Sequence, residues 1–181
     1  MKIYQLKIQL ELNNIKPPIW RRVQVKEDIT FEELHEVVQV TMGWSNYHLW
    51  NFMFGNVEIG IPFEGDFDFV DEDARELVIN QLLNQEKDKV KYTYDFGDSW
   101  QHKITLEKIL EEDKSATYPV CIAGKRCCPP EDCGGVWGYE DFLKAIKDKK
   151  HSENKEMLEW VGGDFDPEKF DIEDVNDYFQ K

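Results

Sequence analysis

Three short segments of this 181-residue chain hold most of the side chains able to do chemistry. The first, "RCCPPEDCGG" at 126–135, packs three thiols and two carboxylates, Glu131 and Asp132, among prolines and glycines. With Cys121 upstream, the thiol spacing is C-x5-C-C-x4-C. Structural zinc usually draws on C-x2–4-C pairs, because a short loop turns two thiolates toward one tetrahedral centre. That pattern is met only in part here. Adjacent Cys127 and Cys128 point apart in most backbone geometries, so Cys121, Cys128 and Cys133 form the candidate ligand set, with His102 or His151 to complete it. The competing expectation is that reduced cysteines are buried as small hydrophobes. On balance no resident cofactor is expected, and zinc is the one candidate.

The second segment, "DFGDSWQH", offers Asp95, Asp98, Trp100 and His102 around a hairpin turn. Two carboxylates and an imidazole could hold a divalent ion or exchange protons. Asp and Gly are also what such a turn needs for its own backbone, and His102 falls in register with Ile104 and Leu106 as a core side chain. The third segment, "NYHLW", places His48 and Trp50 where a helix returns to a sheet. Aromatic packing is the plain account of it. No GxSxG, HExxH, phosphate-binding loop or dinucleotide fingerprint is present, and the "DFG" lacks every other kinase element.

These segments need a scaffold to meet. "YQLKIQLEL" alternates strictly, as a half-buried strand does, and Ile19, Val23 and Val25 alternate again after the "NNIKPP" turn. Thr30 and Glu33 form a capping box before the stripe Phe31, Leu34, Val37, Val38 and Met42, with Gly43 as the stop. Strands flank Gly55-Asn56, a two-residue hairpin turn. Residues 62–74 are an acidic loop with a "DFDF" insert, and Asn80 could cap a short helix through Gln85. "KVKYTY" and "QHKITLEKI" make a hairpin around "DFGDSW". Residues 111–138 read as irregular. Three helical stripes follow, built on Tyr139–Ile146, on Met157–Val161 and on Ile172–Phe179, the last with Asp171 as N-cap.

A hairpin, a helix and further strands give an α+β protein with a β-grasp-like mixed sheet and one packed helix. A β-hairpin and a C-terminal helical segment extend it. The expected division is a core over 1–110, with an irregular cysteine-containing loop and helices over 111–181 packed on the same core. The "RCCPPEDCGG" loop is expected to lie against the "DFGDSW" hairpin. Trp100, Phe96, Trp137 and the two prolines should be buried as its anchors. His102 would then lie within reach of Glu131 or Asp132. Such a bond favours the imidazolium and raises its pKa, unless burial outweighs it.

Charge narrows the partners. The net charge is −15. Residues 58–77 hold eight acids and one Arg, and 159–177 eight acids and one Lys; these two blocks carry nearly all of the imbalance. A body this acidic repels phosphate backbones, so non-specific nucleic-acid binding is not expected. No secretion signal or membrane-length apolar run is visible. A cytoplasmic setting follows, in which cysteines stay reduced.

Several long stretches coincide with one known family. "PPIWRRVQV", "FEELHEVVQVTMGWSNYHLW", "YTYDFGDSWQHKITLE", "YPVCIAGKRCCPPEDCGGVWGYEDFL" and "EWVGGDFDPEKFD" resemble the plasmid pRiA4b ORF-3-like family in wording and order. The resemblance spans nearly the whole chain. It implies a fold and a set of motif positions, not a reaction, and it suggests a link to mobile elements. Family loops that carry Ala at Cys127 or Val at Cys133 leave Cys121 and Cys128 as the shared pair. A resolvase chemistry would need a nucleophilic serine with supporting arginines and a DNA-reading helix-turn-helix, and neither arrangement is found. The leading expectation is a non-enzymatic binding or interaction module with a protein or small-molecule partner, a mobile-element accessory protein being one form of it. The alternatives are a metal-dependent hydrolase using "DFGDSWQH" and "PPEDCGG", and a structural zinc protein.

Overall fold

The computed structural model describes residues 1–12, 15–62 and 70–180. Eight strands form one mixed sheet in the order β5-β4-β3-β6-β7-β1-β2-β8. The first hairpin pairs β1 (Lys2–Leu10) with β2 (Trp20–Lys26), Leu6 opposite Val23. Helix α1 (Phe31–Met42) then crosses one face. Its capping box is formed in full: the Glu33 N–H donates to Thr30 Oγ1 at 3.1 Å and the Thr30 N–H to the Glu33 carboxylate at 2.7 Å. Gly43 ends it at φ 80°, a left-handed conformation that an L-residue adopts at a cost. Its Phe31, Leu34, Val37, Val38 and Met42 are buried, each contributing about 1.5–3 kcal/mol of apolar burial.

Strands β3 (Trp50–Phe54) and β4 (Val57–Gly60) meet over Gly55-Asn56 as expected, with Phe54 opposite Val57. Strand β5 (Glu72–Asp73) runs parallel to β4 and makes the sheet mixed. It occupies the end of the expected acidic loop, whose "DFDF" insert lies outside the described residues. Around Asn80 the chain makes only a 3-10 turn, Ile79–Gln81, in place of the expected short helix. The long hairpin β6 (Lys89–Tyr94) and β7 (Trp100–Glu111) sets β7 against β1 at the centre.

Alternation along β7 separates two faces. Trp100, His102, Ile104 and Leu106 are buried, whereas Gln101, Lys103 and Thr105 look outward. The outward face is polar, with Arg22 Nε 2.6 Å from the Glu107 carboxylate. That contact holds the Glu107 carboxyl below the usual range.

Residues 111–138 are less irregular than their sequence suggests. Val120–Lys125 forms β8, which joins the edge at β2. Gly124 makes this possible, since a Cβ there would stand 2.4 Å from the Phe170 ring. Phe170 in turn covers the buried Arg21 guanidinium at 4.1 Å. Among the described residues Arg21 hydrogen-bonds to no carboxylate. It donates to the carbonyls of Thr41 at 2.7 Å and Lys125 at 3.0 Å, so the negative end of α1 takes up its charge. Helices α2 (Gly135–Lys147), α3 (Asn154–Trp160) and α4 (Ile172–Phe179) complete the chain. Asp171 caps α4 as expected, accepting from the N–H groups of Glu173 and Asp174. No helix among the described residues is long and apolar enough to cross a membrane.

Candidate metal centre

The end of the sheet where β6 turns into β7 gathers three loops. The α1–β3 loop brings Trp44, Ser45, Tyr47 and His48. The β6–β7 turn brings Asp95 and Asp98, and the cysteine loop brings Pro129, Glu131, Asp132 and Gly134. Tyr94 ties all three together. Its hydroxyl donates to Glu131 Oε1 at 2.7 Å and accepts from the Tyr47 N–H at 3.1 Å. The other Glu131 oxygen accepts from the Ser45 N–H at 3.1 Å. Burial, then the Glu131 carboxylate, push the Tyr94 phenol well above its ordinary pKa, so it remains a donor. Trp44 stacks on Tyr94 with centroids 5.0 Å apart, and its indole N–H donates to the Pro129 carbonyl at 3.0 Å.

The β6–β7 turn is tightened by Asp95 itself. Asp95 adopts φ 54°, and its Oδ1 accepts from the N–H groups of Gly97 at 2.9 Å and Asp98 at 3.3 Å. The Asx turn uses Oδ1, and Oδ2 lies 3.8 Å from His48 Nε2. Asp132, at φ 57°, lays Oδ1 3.2 Å from the same nitrogen. Asp98 holds the cysteine loop in place, accepting from the Gly134 N–H at 3.2 Å. Thus one ligand atom each from His48, Asp95 and Asp132 lie within 4.8 Å of one another. It is the only such group of three His, Cys, Asp or Glu side chains among the described residues. Side-chain exposures of 29%, 11% and 72% make the set open on the Asp132 side. One nitrogen and two carboxylate oxygens suit a borderline first-row divalent ion better than calcium, which prefers oxygen alone.

The other candidate residues lie apart. His102 is fully buried, 5.3 Å from Tyr92 and 5.3 Å from Trp44 by ring centroids. It makes no bond to Glu131 or Asp132. Burial lowers its pKa to about 3, the opposite of the rise such a bond would give. Trp100 is a core side chain. The thiols of Cys121, Cys128 and Cys133 belong to no common cluster. Cys128 Sγ lies 3.0 Å from Met42 Sδ and 3.8 Å from an Arg21 nitrogen. Burial pushes Cys128 and Cys133 up to about 12, and raises Cys121 and Cys127 as well. Burial thus disfavours the thiolate form of all four.

Two expected anchors are on the surface. Phe96 is 51% and Trp137 75% exposed. Helix α2 begins at Gly135, and two residues at its period place Trp137 opposite the buried Tyr139. Glu131 and Asp132 do not cap that helix; its start takes no side-chain cap. The supporting roles of Tyr94 and Trp44 were not anticipated from sequence. Their only signal there was aromatic residues bordering two of the motifs.

Replacing Tyr94 by Phe should destabilise the protein by about 2 kcal/mol, because a charged hydrogen bond is lost and Glu131 keeps only the Ser45 N–H. Urea denaturation of Tyr94→Phe against the parent chain measures this. A difference under about 0.5 kcal/mol would show that the three loops are held without Tyr94.

The fold and site together define an α+β protein whose carboxylate–imidazole cluster is assembled from three loops at one end of a mixed sheet. The chain belongs to the family described as plasmid pRiA4b ORF-3-like protein, whose model matches residues 2–174. The uncharacterized protein y4hQ of Sinorhizobium fredii (strain NBRC 101917 / NGR234) is 36% identical over 162 residues, covering 89% of this chain and 83% of the relative. A crystal structure of a protein of unknown function, MM3350 from Methanosarcina mazei Go1, superposes with a TM-score of 0.85 at 43% identity, covering 96% of each chain.

Proposed function

We propose that this protein is a binding module organised round one divalent cation, held by His48, Asp95 and Asp132. The convergence of three ligand atoms from three separate loops within 4.8 Å carries this reading. His48 offers Nε2 beside two carboxylate oxygens, and three protein ligands leave positions free for an outside group. The site lies open at the surface. The imidazoles with lowered pKa, His35 and His102, are enclosed in the core, and burial disfavours the thiolate forms of the cysteines. Binding is therefore favoured over turnover. A cation would also neutralise part of an acidic surface and give an anionic ligand a place to attach.

Isothermal titration of the chelator-stripped full chain with Co2+ tests this. One ion per chain is expected. His48→Ala, Asp95→Asn and Asp132→Asn should each weaken binding at least ~10-fold without loss of fold. Absence of Co2+ uptake would show the three groups to be an ion pair only. A specific observation, the pairing of an imidazole with two carboxylates at an open site, supports metal-assisted hydrolysis as the second reading. Turnover of a nitrophenyl ester or phosphate by the Co2+-loaded chain, lost in all three variants, would select it.

A further inference from the structure

Beside the cation site lies a hollow of about 180 Å3, lined by Asp132, Cys133, Gly138, Phe142, Met157 and Trp160. Asp132 belongs to both, so the hollow adjoins the cluster. Apart from Asp132, its lining is apolar or backbone. Cys133 contributes a partly buried thiol. The aromatic walls are held by packing: Phe142 meets Trp160 edge-to-face at 5.9 Å and Phe165 at 5.1 Å. Trp160 is nonetheless 47% exposed, which leaves a large apolar surface next to a cluster of charges. The volume accommodates roughly six water-sized groups, the size of a short aliphatic chain or one phenyl ring.

We propose that this end of the molecule binds a small carboxylic acid with a hydrocarbon tail, its carboxylate on the cation and its tail in the hollow beside Asp132. The proposal rests on the cation reading above and gives that site its ligand class. Charge supports the order of assembly. A chain of net charge −15 repels a free acid, so the acid attaches only after the cation has offset Asp95 and Asp132. Length supports the specificity. Acetate reaches the cation but leaves the hollow to water, whereas hexanoate or phenylacetate fills it.

The test titrates acetate, hexanoate and phenylacetate into the full chain, with and without Co2+, following the cobalt absorption band and tryptophan fluorescence. Hexanoate should bind the Co2+-loaded protein at least roughly tenfold more tightly than acetate, and neither acid should bind the stripped chain. Met157→Lys, which places a charge in the hollow, should abolish the preference and leave Co2+ affinity unchanged. Trp160→Ala, at a half-exposed position, gives the same readout if the lysine variant does not fold. Equal affinity for acetate and hexanoate on the loaded chain would overturn the ligand class while the cation reading stands. Hexanoate binding that persists without Co2+ would place the acid elsewhere and overturn it too. Failure of Co2+ itself to bind removes both.

Discussion

Between pH 7.5 and pH 4.5 the unfolding free energy should fall by about 5 kcal/mol through two histidines alone. His102 is completely buried and His35 almost so. The His35 ring stacks on Trp50 with centroids 4.0 Å apart, while its nitrogens face the Tyr92 hydroxyl at 2.7 Å and Asn46 Oδ1 at 2.8 Å. Burial lowers the pKa of His35 to about 4 and of His102 to about 3. In the unfolded chain both titrate near 6.5. Below that pH the unfolded state takes up protons that the folded state refuses, so stability present above pH 6.5 is lost as the pH falls toward the folded values. Each histidine contributes about 0.7 kcal/mol per pH unit at pH 6.5, rising to about 1.4 once the unfolded ring is fully protonated. The total is a large part of an ordinary domain's stability. The carboxylates act later: Glu107, held low by its hydrogen bond to Arg22, loses its contribution only as the pH drops below the usual carboxylate range. Urea denaturation at pH 7.5 and pH 4.5 measures the fall. Equal stability at the two values would mean that these rings are protonated in the folded protein.

The second large effect concerns the glycines that seat the cysteine loop. Gly135→Ala and Gly138→Ala should each cost about 3 kcal/mol or more. Gly135 has φ 68°, and a Cβ there would stand 2.7 Å from the Asp98 carbonyl oxygen. That contact sits next to the bond from the Gly134 N–H to Asp98, so relieving the clash moves Asp132 away from Asp95. Gly138 has ordinary helical backbone, but its Cβ would fall 1.9 Å from the Cys133 carbonyl oxygen. Backbone atoms on both sides leave no flexible side chain to give way. Gly162→Ala is the control. It shares a left-handed φ of 87° but meets nothing within 4 Å, and should cost about 1–2 kcal/mol of conformational strain. Thermal denaturation separates the three, and Gly135→Ala should also weaken Co2+ binding. If Gly135→Ala and Gly138→Ala behave like Gly162→Ala, close packing of this loop on the hairpin is not what holds the site.

The local elements were legible in the sequence because local forces set them. Strict alternation over Tyr4–Leu10 needs no partner to define a strand, and the Thr30–Glu33 box with Gly43 bounds α1 through bonds within a few residues. Gly55-Asn56 and "DFGDSW" set two hairpins by backbone conformation. The sequence offered Asp95 as an ion ligand together with Asp98 and His102, explained His48 by aromatic packing and showed Asp132 as one of two loop carboxylates. It did not group His48, Asp95 and Asp132. Their meeting is tertiary, since they stand on three loops far apart in the chain and converge only when β6, β7 and the cysteine loop are packed together. Strand β8 was hidden for a related reason: Val120–Lys125 has too short and mixed a pattern to signal a strand, and it becomes one because β2 offers an open edge and Gly124 admits Phe170. Among the described residues the thiols form no group of three, and Cys128 packs against Met42. His102 is the sharpest case. Its register with Ile104 was visible along the strand, but the loss of its charge follows from complete enclosure beside Trp44 and Tyr92, a cost of desolvation that exists only once the helix and sheet have closed over it.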